Sequence, residues 1–423
     1  MEALEGMKQK MGEREGGIRD FLLVLIGQII SLFGNSVMRF ALPLHLLNVT
    51  GSPALLGLVS GCAFLPIAVM SPVGGIIADR VNKRNVMVVL DFLTAGLVSG
   101  FVLLYGRMSL VTIILVMLFL LYGISGAYQP SVQSSIPLLV PENKVMKANA
   151  AINMVSSMSA LMGPALGGIA YNIWGILPVL YTCIGCFLFS AIMEIFIHIP
   201  FERRKRSVSM LRETAADLKL SVRYIVREKK EIGKLTVCCA FVNLAMTALM
   251  IIGLPVIVMQ TLEFPGGNAS QMYGFLQAIL AAGGLIGGLG AGLFSEKLKI
   301  RSNWKLLLAC GILLIPMGVV LLLNSPAYIA YSVLAAAGMG IMALASIYTI
   351  QVMSYIQITV PRELVGKVIA WIIAISTCTQ PIGQVIYGVL FEEMAGYLWL
   401  IFFAGALLSL CIVFYSRKIS EQL

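Results

Sequence analysis

The sequence predicts an all-α polytopic membrane protein of twelve transmembrane helices, and three observations predict it: the composition, the spacing of apolar runs, and the placement of the cations. Of 423 residues, 59% are apolar and only 12% are charged, against about a quarter charged in ordinary soluble domains. That excludes a soluble protein. A bilayer-spanning helix takes about 20 mostly apolar residues, so the apolar mass has capacity for about twelve spans and leaves no room for a soluble catalytic domain. Twelve apolar runs begin near Phe21, Ala54, Val86, Leu110, Ala148, Ile176, Leu235, Met272, Leu306, Ala327, Lys367 and Ala395. Assigning each Lys and Arg to a connection puts 28 of the 30 on one side, with Arg107 opposite and Arg39 inside the first span. Cytoplasmic loops hold the cation excess, so both termini are expected in the cytoplasm. The net charge of +10 then reports topology, and no nucleic-acid partner is expected.

In chain order, a cytoplasmic tail (1–20) precedes a six-helix half (21–199), a cytoplasmic linker (200–233), a second six-helix half (234–416) and a short cytoplasmic tail (417–423). The first twenty residues are too charged, and the first apolar run too long, for a cleaved signal peptide. In the linker Leu211, Ala215, Leu218, Val222 and Ile225 recur at helical spacing between basic clusters. That pattern is an amphipathic helix on the anionic inner membrane face, with a calmodulin-type target as the alternative. The eight cysteines all lie in apolar runs and read as small packing residues. No metal site and no cofactor is expected, because the lone CxxC, Cys183 and Cys186, has no histidine or carboxylate near it in sequence.

Polar residues inside the spans form stripes at helical spacing. Span one carries Gln28, Ser31, Asn35 and Arg39; span four carries Tyr122, Gly126, Gln129 and Gln133; span seven carries Asn243 and Thr247. Span ten adds Tyr348, Gln351 and Tyr355, and span eleven Thr377, Gln380, Gln384 and Tyr387. Lipid penalises such faces, so each stripe points into protein or a watery cavity. Tyrosines and amides with almost no fixed charge fit an amphiphilic, largely apolar solute. At 1.5 Å per residue Arg39 stands about 27 Å along the first helix, whereas Asp91 and Glu194 lie about 9 and 8 Å from the inner edge of spans three and six. An Arg39–Asp91 pair would have to bridge nearly 20 Å and is rejected. Arg39 either enters the cavity with Asn35 or snorkels outward beside His45. Asp91 and Glu194 are candidate proton carriers, since a carboxyl in low dielectric is readily emptied or filled as its surroundings alternate. Their plainer readings are a packing hydrogen bond and an interfacial anchor.

The two halves repeat. Gly75 to Arg84 (GIIADRVNKR) matches Gly292 to Arg301 (GLFSEKLKIR) at a spacing of 217 residues, pairing Asp79 with Glu296, Arg80 with Lys297 and Arg84 with Arg301. Pro164 and Pro381 are also 217 apart. Small residues line one face of span five (Ser156, Ala160, Gly163, Gly167), and two rows run along span eight, Gly283-Gly287-Ala291 and Gly284-Gly288-Gly292. Such faces allow close helix approach.

These features resemble the major facilitator superfamily over the whole chain. Its loop signature appears as Gly75-Ile-Ile77-Ala78-Asp79-Arg80-Val-Asn82-Lys83-Arg84, departing at Ile77 and Asn82. Its antiporter signature appears as Ser159-x-x-x-Gly163-Pro164-x-x-Gly167-Gly168, departing at Ser159. The wording around them is similar to the bacterial subgroup of macrolide efflux pumps and the enterobactin exporter. The resemblance implies two six-helix halves, a cavity lined by spans one, four, seven and ten, and a conformational latch at Gly75, Asp79, Arg80, Lys83 and Arg84, repeated at Glu296, Lys297 and Arg301. It implies a monomeric exporter of amphiphilic or hydrophobic small molecules in the inner membrane, exchanging protons and surrounded by lipid. A lipid or lysophospholipid flippase and a non-transporting receptor on the same fold are the alternatives. Span four lacks the arginine common in drug/proton antiporters of the superfamily. No enzyme is expected, because no Walker A sequence is present and His45 and His198 are the only histidines.

Overall fold

A hydrocarbon surround offers no hydrogen-bond partners, so the backbone must satisfy itself within each segment, and helices do so. The computed structural model describes residues 2–199, 229–293 and 300–420, with the side chains of some helical positions, 2–18, 75–80 and 362–367 among them, outside that description. In the first part lie α1 (Glu2–Thr50), α2 (Pro53–Arg80), α3 (Lys83–Leu104), α4 (Leu110–Leu139), α5 (Glu142–Trp174) and α6 (Ile176–Ile195). The helical segment α7 (Lys230–Thr261) follows. Then come α8 (Ala269–Leu293), α9 (Asn303–Leu322), α10 (Ala327–Thr359), α11 (Arg362–Glu393) and α12 (Leu398–Ser420). The linker pattern from Leu211 to Ile225, and Glu296 and Lys297 of the second latch, lie outside the described residues, as do the side chains of Gly75, Asp79 and Arg80.

Among the described residues ten helices are long and apolar enough to cross a bilayer, and α2 and α5 are not in that set. The small and polar residues of α5 (Asn153, Ser156, Ser157, Ser159, Gly163, Gly167) lower its hydropathy. The first helix runs back to Glu2, well before the apolar run that begins at Phe21. Two π-helical segments, Asn243–Thr247 and Ile257–Thr261, interrupt α7, which no periodicity in the sequence foretold. Asn82, where the loop signature departs from its usual residue, caps α3: its Oδ1 accepts the Arg84 N–H at 3.0 Å. One residue, Gly175 at φ +73°, reverses the chain between α5 and α6, a conformation open to glycine at little cost.

The chain forms two compact units, Met1–His45 with Cys62–Arg206, and Leu46–Gly61 with Ser207–Leu423. In the first, α3 lies along α6 and α4, over a core that includes Val24, Met87, Val132, Ile136 and Ile197. In the second, α8 lies along α10, α9 along α12 and α10, and α7 along α11. Its inner core includes Leu307, Tyr348, Val352, Ile356 and Val368.

Glycine sets how near these helices come. On α5, a Cβ at Gly163 would collide with Ser36 of α1, and one at Gly167 would stand 3.3 Å from Phe40. The two rows on α8 are not equivalent. A Cβ on Gly283 would lie 3.0 Å from the Met339 Cα and one on Gly287 would lie 2.7 Å from the Ala343 Cα, both on α10, while Gly284 and Gly292 face open space. Gly288 meets only the Ser346 Oγ, at 3.8 Å. Gly287→Ala is therefore expected to force α8 off α10 and destabilise the protein by about 1–3 kcal/mol, whereas Gly288→Ala leaves the melting temperature of the detergent-solubilised protein unchanged. Equal melting shifts for the two variants would refute the assignment of the packed row.

Candidate functional site

One turn of α1 organises the polar interior of the first unit. Gly27 lies against Ser190 and Glu194 of α6, Gln28 reaches α4, and Ser31 reaches α3. The Ser31 hydroxyl donates to Asp91 Oδ1 at 3.0 Å. Gln28 Nε2 donates to the Tyr128 hydroxyl at 2.7 Å, and that hydroxyl donates to Glu194 Oε1 at 2.6 Å. Ser190 Oγ donates to the Gly27 carbonyl at 3.1 Å, tying α6 to the same turn. Four helices thus meet around two carboxyls that are 2% and 0% exposed.

The hydrogen-bond account of this cluster is incomplete in one direction only. Asp91 Oδ2, Glu194 Oε2 and Gln28 Oε1 are buried with no partner among the described residues, and all three are acceptors. A buried unpaired carboxylate oxygen is costly, and a carboxyl relieves the cost by taking up a proton. Protonation turns an orphan acceptor into an O–H donor. The cluster is chemically suited to gaining and losing protons.

Arg39 stands apart from the carboxyls. Its Cζ lies 4.0 Å from the centroid of the Tyr122 ring on α4, a cation–π contact. No ion pair with Asp91 or Glu194 forms among the described residues, in keeping with the reach calculated from helical rise. The two ring nitrogens of His45 bond the hydroxyls of Tyr105 and Tyr171, each at 2.9 Å. Asn35, half-buried, donates to the Ser31 carbonyl at 3.2 Å.

In the second unit Asn243 and Tyr348 line one cavity of about 110 Å³, with Met246, Met250 and Cys310 also on its wall. Asn243 opens the first π segment of α7 and donates to the Cys239 carbonyl at 3.1 Å. π turns recur at functional positions in helices. Tyr348 is buried, with its hydroxyl 3.4 Å from the Cys238 sulfur. Gln351 and Tyr355 are half-buried on α10, while Gln380 and Gln384 of α11 are buried. Both amide atoms of Gln384 lack a partner among the described residues.

The start of α2 belongs to this unit and packs on α11. Gly57 and Gly388 meet backbone to backbone, and Glu392 Oε2 accepts the Ala54 N–H at 3.0 Å as well as the Ser52 hydroxyl. A carboxylate at a helix N-terminus is favourably placed.

The candidate residues therefore sort into groups. Asp91, Glu194 and Gln28 form one cluster; Arg39 and Tyr122 form a pair; Asn243 and Tyr348 share a cavity. Gln129 is half-buried and Gln133 exposed on α4, and Gly163, Pro164, Gly167 and Gly168 lie on the part of α5 that packs on α1. Lys83 and Arg84 start α3, and Arg301 is exposed in the short 3₁₀ turn before α9. Sequence reasoning missed Tyr128, the centre of the cluster. It lies off the row formed by Tyr122, Gly126, Gln129 and Gln133, and its sequence signal was a second row of hydroxyls, Ser125, Tyr128, Ser131 and Ser135, at helical spacing.

A long all-helical chain with polar groups buried between apolar helices defines a multi-pass membrane transporter. Residues 24–377 match the Major Facilitator Superfamily, and the chain belongs to it. Macrolide efflux protein A of Streptococcus pyogenes is 26% identical over 181 residues, 43% of this chain and 45% of that protein, so the chain spans less than half the length of this relative. Multidrug resistance protein MdtG of Escherichia coli is 26% identical over 316 residues, 71% of this chain and 72% of that protein. Among solved structures, a bacterial homologue of the human lysosomal transporter Spinster, in an inward-facing and unoccupied conformation, superposes with a TM-score of 0.72 at 14% identity, covering 95% and 97% of the two chains. The nucleoside transporter NupG superposes at 0.76 and 11% identity, covering 95% and 98%. These two likenesses show the fold.

Tyr128→Phe removes the donor to Glu194 and the acceptor of Gln28 at once. It is expected to cost about 1–3 kcal/mol, read as a lower melting temperature in detergent, while Gln129→Ala, one residue away, leaves it unchanged. A Tyr128→Phe protein that melts like the parent would show that the hydroxyl bridge carries no weight.

Proposed function

We propose that the chain is a secondary active exporter that moves an amphiphilic or hydrophobic small molecule out of the cell by alternating access, with proton antiport through Asp91 and Glu194. The observation that carries this reading is the cluster itself: two buried carboxyls held by one turn of α1, each with an oxygen lacking a donor. The efflux relatives support the direction and the solute class. The remaining parts of the proposal are twelve spans in two six-helix halves, both termini in the cytoplasm, residence in the cytoplasmic membrane, a monomeric state, and the latch role of the Gly75–Arg84 loop and its repeat.

In this reading the proton and the solute use different groups. Asp91 and Glu194 exchange protons within the first unit, and solute contacts fall to Asn35, Arg39, Tyr122, Gln129 and Gln133, and to Asn243, Tyr348, Gln351 and Tyr355. Gln28 serves the carboxyls, Gln380 and Gln384 sit on the helix that meets α2, and the Gly57–Gly388 contact parts and re-forms during the cycle. A flippase for lysophospholipids is the second reading, because an amphiphile-accepting protein serves either task.

The test is flux in proteoliposomes under an imposed pH gradient, collapsed in a control by a protonophore. Uphill movement of an amphiphile is expected in the parent. Asp91→Asn with Glu194→Gln should abolish uphill movement and spare gradient-independent exchange. Uphill flux that survives in the double variant would remove both carboxyls from the coupling mechanism.

A further inference from the structure

Arg39 lies within the apolar run of α1 in the first unit, and its surroundings define what it can bind. A guanidinium within a membrane helix is costly unless an anion or a set of acceptors compensates it. The Tyr122 ring covers one face at 4.0 Å. In the guanidinium plane Nε and Nη2 are both buried and have no hydrogen-bond partner among the described residues. Those two N–H groups form one edge of the fork, the edge that takes both oxygens of a carboxylate or phosphate in parallel hydrogen bonds.

The negative charges that would otherwise balance Arg39 are committed elsewhere. Asp91 accepts from Ser31, Glu194 accepts from Tyr128, and both are closed off at 2% and 0% exposure. Among the described residues Asp91 and Glu194 thus each hold a donor from within the cluster, whereas the Arg39 guanidinium keeps a whole bidentate edge without an acceptor. Asn35 sits one turn earlier on the same stripe, its Nδ2 committed to the Ser31 carbonyl.

We propose that the transported amphiphile carries an oxyanion head, a carboxylate or a phosphate on an apolar body, and that Arg39, backed by Tyr122, binds that head edge-on. This rests on the exporter reading and narrows its solute class. The edge is shut from solvent in the conformation described, so the head enters as the helices around Arg39 part during the cycle.

Equilibrium binding to the full chain in lipid nanodiscs tests it, with four pyrene-labelled probes of one apolar body ending in carboxylate, phosphate, hydroxyl or trimethylammonium, and with inorganic phosphate as a competitor. The carboxylate and phosphate probes are expected to bind about tenfold tighter than the hydroxyl probe or more, equivalent to about 1.4 kcal/mol, and the trimethylammonium probe weakest. Arg39→Gln should reduce both anionic probes to the affinity of the hydroxyl probe, and Arg39→Lys, which keeps the charge without the fork, should recover part of the preference. Either outcome in the two variants counts only with a melting temperature near the parent's, and Arg39→Lys serves if Arg39→Gln fails to fold. Tighter binding of the trimethylammonium probe, an anion preference that persists in Arg39→Gln, or no binding of either anionic probe would overturn the proposal. Displacement of both anionic probes by equimolar inorganic phosphate would also overturn it, assigning the site to a free anion. Gradient-driven flux without anion preference would leave the exporter reading standing and remove this one. Anion preference without flux of any probe would do the reverse.

Discussion

Hydrocarbon cannot donate or accept a hydrogen bond, and the arrangement of this molecule follows from that constraint. Backbone groups meet it by closing on themselves in helices. Side chains meet it by being apolar, or by finding a partner on a neighbouring helix. The turn from Gly27 to Ser31 shows the second solution, because it meets two carboxyls and a tyrosine from three neighbouring helices at once. Ser31 gives Asp91 its donor, Gln28 positions the Tyr128 hydroxyl that gives Glu194 its own, and one oxygen of each carboxyl remains without a partner among the described residues.

Such partnerships need short distances between helix axes, and small residues provide them. Gly27 admits Ser190 and Glu194 to the backbone of α1, Gly163 admits Ser36, and Gly283 with Gly287 admits the backbone of α10. In lipid there is no hydrophobic drive to pull helices together, so close van der Waals contact and interhelical hydrogen bonds do the work. The glycine that lowers the apolar content of α5 and α8 is what makes their packing possible. The same residues that weaken a helix as a membrane span strengthen it as a packing surface.

Much of this was legible in the residues alone. Helix order and approximate limits follow from apolar runs, and the separation of Arg39 from Asp91 and Glu194 follows from counting turns. The Arg39–Asp91 pair was excluded by the same arithmetic. Tyr128 was missed because it stands apart from the Gln129 stripe, in a row with Ser125, Ser131 and Ser135 whose hydroxyls read as bonds to their own helix backbone. Ser31 and Ser190 were equally silent as partners, since a serine in an apolar helix reads the same whether it bonds its own backbone or a carboxyl across the interface. Nor did the sequence separate the two glycine rows of α8, which are one residue out of phase and compositionally alike.

Sequence by itself determined that the chain belongs to the membrane class, that it is helical, and that Arg39, Asp91 and Glu194 stand within its apolar runs. Composition and periodicity suffice for this, because transfer into hydrocarbon depends on each segment's own groups. Tertiary structure alone decided that both carboxyls share one turn of α1, that Tyr128 bridges to Glu194, and that Arg39 faces a ring with one edge of its fork unpaired. Those outcomes depend on how far each helix is rotated about its axis and how near its neighbour lies, and many side chains on several helices set those two quantities together.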